Sequence, residues 1–103
     1  MDMNFDELWQ EIKESTWFLE VTFKANSLHL KSENSVKPIL GQGNIKSDER
    51  RITFSGLHVG SAFAANPNGY FIDITEGSIN NVVMEENSIC IQCKNKTVNL
   101  YRK

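Results

Sequence analysis

The spacing of the apolar residues changes once, near residue 16, from a helical repeat to a strand repeat. Before that point they fall at i, i+3, i+4 and i+7, at Phe5, Leu8, Trp9 and Ile12. This pattern predicts an amphipathic helix from about residue 5 to about residue 15. Asn4 and Glu7 have the spacing of a capping box at its start. The chain must therefore fold as one helix followed by strands.

Strict alternation of apolar and polar residues begins at Thr16–Lys24, which predicts a long, half-buried strand. Ala25–Ser27 is a turn signal, and Ser27–Lys31 predicts the second strand of a hairpin. Pro38 favours an edge strand or a loop, and Asn66–Gly69 is the strongest turn signal. Further strands are predicted at Arg51–Phe54, from Leu57 through Val59 and Phe63, and at Tyr70–Thr75, Ile79–Met84, Ser88–Lys94 and Thr97–Arg102.

These elements predict an α+β fold in a single domain, residues 1–103. One N-terminal helix should pack on a curled antiparallel sheet or partly closed barrel of about seven to eight short strands. The connections are short, so sequence neighbours are expected to pair antiparallel. The strands after Asn66–Gly69 therefore predict a four-stranded meander.

The composition excludes several classes of function. The net charge is −2 and the pI about 5.6, which argues against a nucleic-acid-binding protein because such proteins need a basic surface. No apolar run approaches the roughly 18 residues of a membrane span. Met1–Gln10 has no basic region and no apolar core of a secretory signal, so we expect a cytoplasmic protein.

The charges are unevenly distributed along the chain. Residues 1–14 carry five carboxylates and one lysine, whereas no acid follows Glu86 and four basic residues do, at Lys94, Lys96, Arg102 and Lys103. Such runs are typical of a solvated helix face and a charged strand edge. The alternative is a surface that faces a partner.

Two residue pairs could carry chemistry. Cys90 and Cys93 match the C-x-x-C spacing, but within a strand their side chains point to opposite faces, and zinc would need two further ligands. We therefore predict no metal and no cofactor. His29 and His58 could act as base and acid of a small metal-free hydrolase if they met in space, with Lys24 or Lys31 nearby. This is the third functional hypothesis.

Phe18 and Phe71 interrupt the polar faces of their strands. Large aromatic residues are usually buried, which predicts a second buried face, as in a sandwich or closed barrel. The alternative is that both are exposed anchors for a partner.

The acidic helix Asn4–Glu14 and the strand series after it resemble the small immunity proteins of bacterial toxin–immunity pairs, including those of contact-dependent growth inhibition. The resemblance lies in size and layout. It implies a protein-binding inhibitor, not an enzyme, that occludes the active site of a basic toxin domain such as a nuclease. The partner-binding candidates are Glu11, Glu14, Asp48, Glu49, Glu85 and Glu86.

A second hypothesis rests on Tyr70–Leu100, which looks like the later strands of pleckstrin-homology-like domains. That resemblance implies a ligand- or lipid-binding module in which Lys94, Lys96, Arg102 and Lys103 would meet anionic headgroups. The fold closes its barrel with a C-terminal helix, whereas the helix predicted here precedes the strands.

Overall fold

A computed structural model describes residues 4–32, 35–41, 49–58 and 70–102 of the chain, apart from the side chain of His58. Within these residues lie one helix, α1 (Phe5–Lys13), one 3-10 turn (Glu76–Ser78) and eight strands. The strands are β1 (Trp17–Phe23), β2 (His29–Ser32), β3 (Ile39–Gly41), β4 (Arg51–His58), β5 (Tyr70–Thr75), β6 (Ile79–Met84), β7 (Ser88–Cys93) and β8 (Lys96–Arg102). The predicted α+β class is confirmed.

Helix α1 begins and ends with specific hydrogen bonds. The Asn4 side chain accepts from the backbone N–H of Glu7 at 2.8 Å, and the Glu7 carboxylate accepts from the backbone N–H of Asn4 at 3.5 Å, so the predicted capping box is present. At the other end, the indole N–H of Trp17 donates to the carbonyl of Ile12 at 2.8 Å. This bond satisfies one of the carbonyls that the last helical turn leaves free.

The sheet is built outward from β1. One edge of β1 pairs antiparallel with β2 and the other with β8, after which β7 and β6 follow in order. On the far side, β2 and β3 both pair with β4, and a bridge between Trp17 and Val36 holds the chain before β3 against the start of β1. β2 and β3 are thus two sections of one interrupted strand between β1 and β4.

Strand β5 corrects the predicted meander. It pairs back with β4, where Ile72 and Ile74 lie opposite Phe54 and Ile52, and only β6, β7 and β8 form a meander. The reason is that the pairing with β4 buries all four of these side chains. After the 3-10 turn the chain enters β6, which is the strand at the opposite edge of the sheet. No ladder joins β5 to β6 in the described residues, so the sheet is open and no closed barrel is found.

One face of the sheet and one stripe of α1 share a single apolar core. Trp17 and Phe54 are its largest fully buried side chains, and the helix contributes Phe5, Leu8 and Ile12 as the stripe predicts. The full set is Phe5, Leu8, Ile12, Trp17, Leu19, Val21, Leu30, Ile52, Phe54, Leu57, Ile72, Ile74, Val82, Ile89, Ile91, Cys93, Val98 and Leu100.

The second buried face predicted from Phe18 and Phe71 is wrong. Phe18 is 37% exposed and Phe71 69% exposed. Both point to the outer side of the sheet, where the one described helix does not pack, because α1 covers the inner face. The structure therefore shows both side chains exposed, as the alternative requires, and their role as anchors for a partner stays a prediction.

Three sequence predictions fall outside the described residues: Asp48 as a site residue, the turn at Asn66–Gly69, and the strand continuation through Val59 and Phe63. Strand β4 extends to His58, further than the predicted Phe54, and its register shifts between Phe54 and Leu57. In the described part of the chain, no helix is long and apolar enough to cross a membrane.

We expect Trp17→Phe to lower the free energy of unfolding by about 1–3 kcal/mol, because it leaves the Ile12 carbonyl without its buried donor. Trp9→Phe is the matched control, since Trp9 only packs against the edge of the core. Denaturant unfolding monitored by far-UV circular dichroism measures both variants. Equal losses in the two would show that the indole hydrogen bond contributes nothing beyond ring size.

Candidate functional site

An exposed aromatic pair lies on the outer face of the sheet. Phe18 on β1 is the register partner of Tyr101 on β8, and the two side chains are 37% and 42% exposed. Cross-strand partners on one face are in side-chain contact range. Two large aromatic residues side by side in solvent form a patch of the kind that anchors protein interfaces.

Three exposed carboxylates lie at the same end of the sheet as this pair. Glu85 and Glu86 are exposed in the turn between β6 and β7. That turn lies beside the end of β8, because the backbone N–H of Arg102 donates to the carbonyl of Asn87 at 2.8 Å. Glu14, at the C-cap of α1, is also exposed. We call Phe18, Tyr101, Glu14, Glu85 and Glu86 the aromatic–acidic surface.

Glu11 forms an ion pair within the molecule, although its side chain is 45% exposed. Its carboxylate accepts from the Arg102 guanidinium at 3.2 Å. Arg102 also donates to the Ser15 hydroxyl at 2.7 Å and lies over the Trp17 ring, 4.6 Å from its centroid. This arginine therefore fastens the last turn of α1 to the ends of β1 and β8.

A second arginine fastens the first turn of α1. The Arg50 guanidinium contacts the carboxylates of Asp6 and Glu76 and lies 5.0 Å from the centroid of the Phe5 ring. The hydrogen bonds to Asp6 and then to Glu76 raise the pKa of Arg50 above its ordinary value. Part of the acidic charge of the helix is thus neutralised within the molecule.

Glu49 is also engaged internally. Its carboxylate accepts from the backbone N–H of Gly77 in the 3-10 turn, and a Cβ added at Gly77 would lie 2.4 Å from the Glu49 Oε1. A side chain at residue 77 would therefore displace the flexible Glu49 carboxylate from this position. Of the six acidic residues predicted as partner contacts, Glu14, Glu85 and Glu86 lie at the aromatic–acidic surface. Glu11 and Glu49 make internal contacts.

The basic residues near the C-terminus do not form one surface. Arg102 is bound to Glu11 and Ser15, while Lys94 and Lys96 lie at the opposite end of β8. Lys103 lies outside the described residues. Among the described residues, Arg102 is therefore separated from Lys94 and Lys96 by the length of β8, so these three do not assemble the headgroup surface expected from the pleckstrin-homology-like resemblance.

The two histidines are carried by β2 and β4, which pair with each other. His29 is exposed, its Nδ1 lies 3.2 Å from the Thr22 hydroxyl, and its Nε2 lies 3.6 Å from the Glu20 carboxylate. The backbone of His58 is in register with Lys31. The ring of His58 lies outside the described part of the chain.

The two cysteines point to opposite faces of β7, as their spacing predicts. Cys90 is half-buried on the outer face, and Cys93 is fully buried in the core. Burial raises the pKa of the Cys93 thiol above its ordinary value. Among the described residues, no three potential ligands from histidine, cysteine, aspartate and glutamate come together as a metal site.

The exposure of Tyr101 is not predicted by the sequence pattern. Tyr101 alternates with Leu100 in a terminal strand, where aromatic residues are usually buried. Its position beside Phe18 comes from the register between β1 and β8. That register is fixed by β1–β8 pairing, which no local pattern specifies.

No family model, curated protein or solved structure matches this chain. The function proposed below therefore rests on the residues of this chain.

We expect a coupling of about 0.5 kcal/mol between Glu11 and Arg102, the usual size for a half-exposed ion pair. A double-mutant cycle of Glu11→Gln and Arg102→Met in denaturant unfolding measures it. The matched cycle of Glu14→Gln and Arg102→Met should show no coupling. Coupling in the second cycle and none in the first would contradict this division of the acidic residues.

We expect Cys93 to react with Ellman's reagent far more slowly than Cys90, because it is both buried and kept protonated by its raised pKa. The measurement is the rate at which thionitrobenzoate is released from the reagent at pH 8, in the variants Cys90→Ser and Cys93→Ala. The first variant should react only as fast as the protein unfolds. Rapid reaction of that variant in native buffer would show that Cys93 is accessible.

Proposed function

We propose that this protein binds and inhibits another protein, as immunity proteins neutralise their cognate toxins. The observation that carries the proposal is the exposed Phe18–Tyr101 pair, with Glu14, Glu85 and Glu86 exposed at the same end of the sheet. It accounts for two features that the fold itself does not require: aromatic rings in solvent, and carboxylates at the same end of the sheet that make no ion pair in the described residues.

The aromatic–acidic surface has the composition of an interface that binds a basic protein. Aromatic side chains supply most of the binding free energy when a partner removes them from water. Carboxylates around them attract arginine and lysine, accelerate the encounter and reject acidic partners. The surface is presented by paired strands, so little ordering would be needed on binding.

The proposed mechanism is occlusion. The partner is a basic toxin domain, such as a nuclease, whose substrate-binding surface carries arginine and lysine residues. Phe18 and Tyr101 would contact the apolar part of that surface, while Glu14, Glu85 and Glu86 would pair with its cations. The inhibitor needs no cofactor and no catalytic residue of its own, and it would act in the cytoplasm before the toxin reaches its substrate.

The aromatic pair and the acidic rim make different contributions to binding, and salt distinguishes them. Pairs of exposed charges weaken as ionic strength rises, because salt screens them over about 10 Å at 0.1 M. Burial of aromatic rings is not weakened in this way. We therefore expect the partner to remain bound at high salt, but to dissociate faster than it does at low salt.

We expect Phe18→Ala to weaken partner binding at least ~30-fold, the effect of losing one anchor of about 2 kcal/mol. The tagged protein is used to capture its partner from the native host, and the captured basic protein is then titrated against wild type and Phe18→Ala. Glu86→Lys should reduce the association rate and its dependence on salt.

Leu28→Ala is the matched control for the aromatic variant, because Leu28 is 38% exposed in the turn between β1 and β2. It should bind as wild type does. Binding that is unchanged in Phe18→Ala, or that falls equally in Leu28→Ala, would refute the assignment of this surface. A captured partner whose activity persists in the complex would refute inhibition.

A further inference from the structure

An open groove lies where the sheet fails to close. It runs between β5 and the turn that joins β7 to β8, and its volume is about 400 Å³. Volumes of roughly 300–1,000 Å³ are typical of small-molecule sites. Its lining includes Phe23, Phe71, Ser78, Lys94, Asn95 and Lys96.

The ammonium group of Lys96 is the unusual feature of this groove. Lys96 is only 7% exposed. Its hydrogen-bond partner in the described residues is the Asn95 side-chain oxygen, at the long distance of 3.4 Å, and it lies 6.0 Å from the centroid of the Phe23 ring. No carboxylate of the described residues pairs with it. An ammonium group that is largely buried without a counter-charge is unfavourable, so a bound anion would stabilise it here.

Two further lysines lie close to this position. Lys94 lines the groove directly. Lys24 is held beside it, because its backbone N–H donates to the carbonyl of Asn95 at 3.0 Å. Two lysine side chains, Lys94 and Lys96, therefore line one concave site, and the backbone of a third lysine lies next to it.

The carboxylates near the groove are engaged with other groups. Asp73, which lines the groove, accepts from the Thr53 hydroxyl at 2.6 Å and lies 3.7 Å from the Arg51 guanidinium, and both partners are on β4. Glu49 lines an adjoining pocket with Lys94, and its carboxylate accepts from a backbone N–H of the 3-10 turn. In the described residues, neither carboxylate forms an ion pair with a lysine of the groove.

We infer that this groove binds the phosphate group of a small phosphorylated ligand. A phosphate carries about −1.5 to −2 charges at neutral pH and three acceptor oxygens, so it matches the two lysines of the groove better than a carboxylate with its single charge does. The rings of Phe23 and Phe71 flank the groove, and Phe71 is 69% exposed. They provide the contact surface for a flat apolar portion of the ligand.

This site is separate from the aromatic–acidic surface. Lys94 and Lys96 lie at the start of β8, whereas Tyr101 lies at its end. Binding of a phosphorylated ligand therefore neither requires nor excludes the proposed inhibition of a protein partner, and each can fail without the other.

Phenyl phosphate is a suitable probe because it carries both a phosphate group and an aromatic ring. In a ¹⁵N-labelled sample, it should produce saturable shifts of the backbone amides of Lys94, Asn95, Lys96 and Ser78. Benzyl alcohol, which has the ring but no charge, should produce none there. Inorganic phosphate should bind more weakly than phenyl phosphate. Equal affinity of the two would overturn the assignment of the rings, and equal affinity for phenylacetate would overturn the choice of phosphate.

We expect Lys96→Met to weaken phenyl phosphate binding at least about tenfold, the loss that one charge-assisted hydrogen bond produces. The methionine side chain retains most of the buried volume of the lysine stem, so the amide spectrum away from the groove should be unchanged. Lys94→Gln tests the site at an exposed position, where folding is not at risk, and should also weaken binding.

Lys13→Met is the matched control, because Lys13 is an exposed lysine on α1. It should bind phenyl phosphate as wild type does. The proposal is overturned if phenyl phosphate shifts no groove amide, or if both Lys96→Met and Lys94→Gln bind it as tightly as wild type.

Discussion

Trp17 connects the parts of this fold that the chain itself keeps apart. Its backbone exchanges two hydrogen bonds of 2.9 Å with Val36, its indole N–H reaches the Ile12 carbonyl, and Arg102 covers its ring. One fully buried residue thus joins α1, the interrupted strand β2–β3 and the terminal strand β8. Because so many contacts meet at this position, the end of the helix and the start of the sheet have a fixed geometry.

The contacts of α1 with the sheet involve some of the acidic residues and leave others exposed. Arg50 and Arg102 neutralise Asp6 and Glu11 at the two ends of α1, which holds the helix against an open sheet. Of the residues predicted as partner contacts, Glu14, Glu85 and Glu86 are exposed at the same end of the sheet as the Phe18–Tyr101 pair. The predicted contact residues that the structure describes therefore form two groups, one in internal contacts and one exposed. Only the exposed group contributes to the proposed inhibition.

The open sheet has a consequence of its own. Where β5 and β6 do not pair, the first turn of α1 fills one part of the gap with Phe5 and Leu8, which lie near Ile79 and Val82. Another part remains as the groove that contains Lys96. A closed barrel would pair these two edges and remove the groove. The proposed phosphate site therefore exists only because the sheet does not close into a barrel.

The sequence by itself determined the elements of this protein. The apolar stripe of α1 and the alternation of β1 and β5–β8 depend on contacts between near neighbours, so the periodicity predicted them correctly. The tertiary structure alone decided that β5 pairs with β4, that Glu11 meets Arg102 and that Tyr101 lies beside Phe18. These contacts join residues distant in the chain, and they follow from strand register and from the packing of one shared core, which local patterns do not encode.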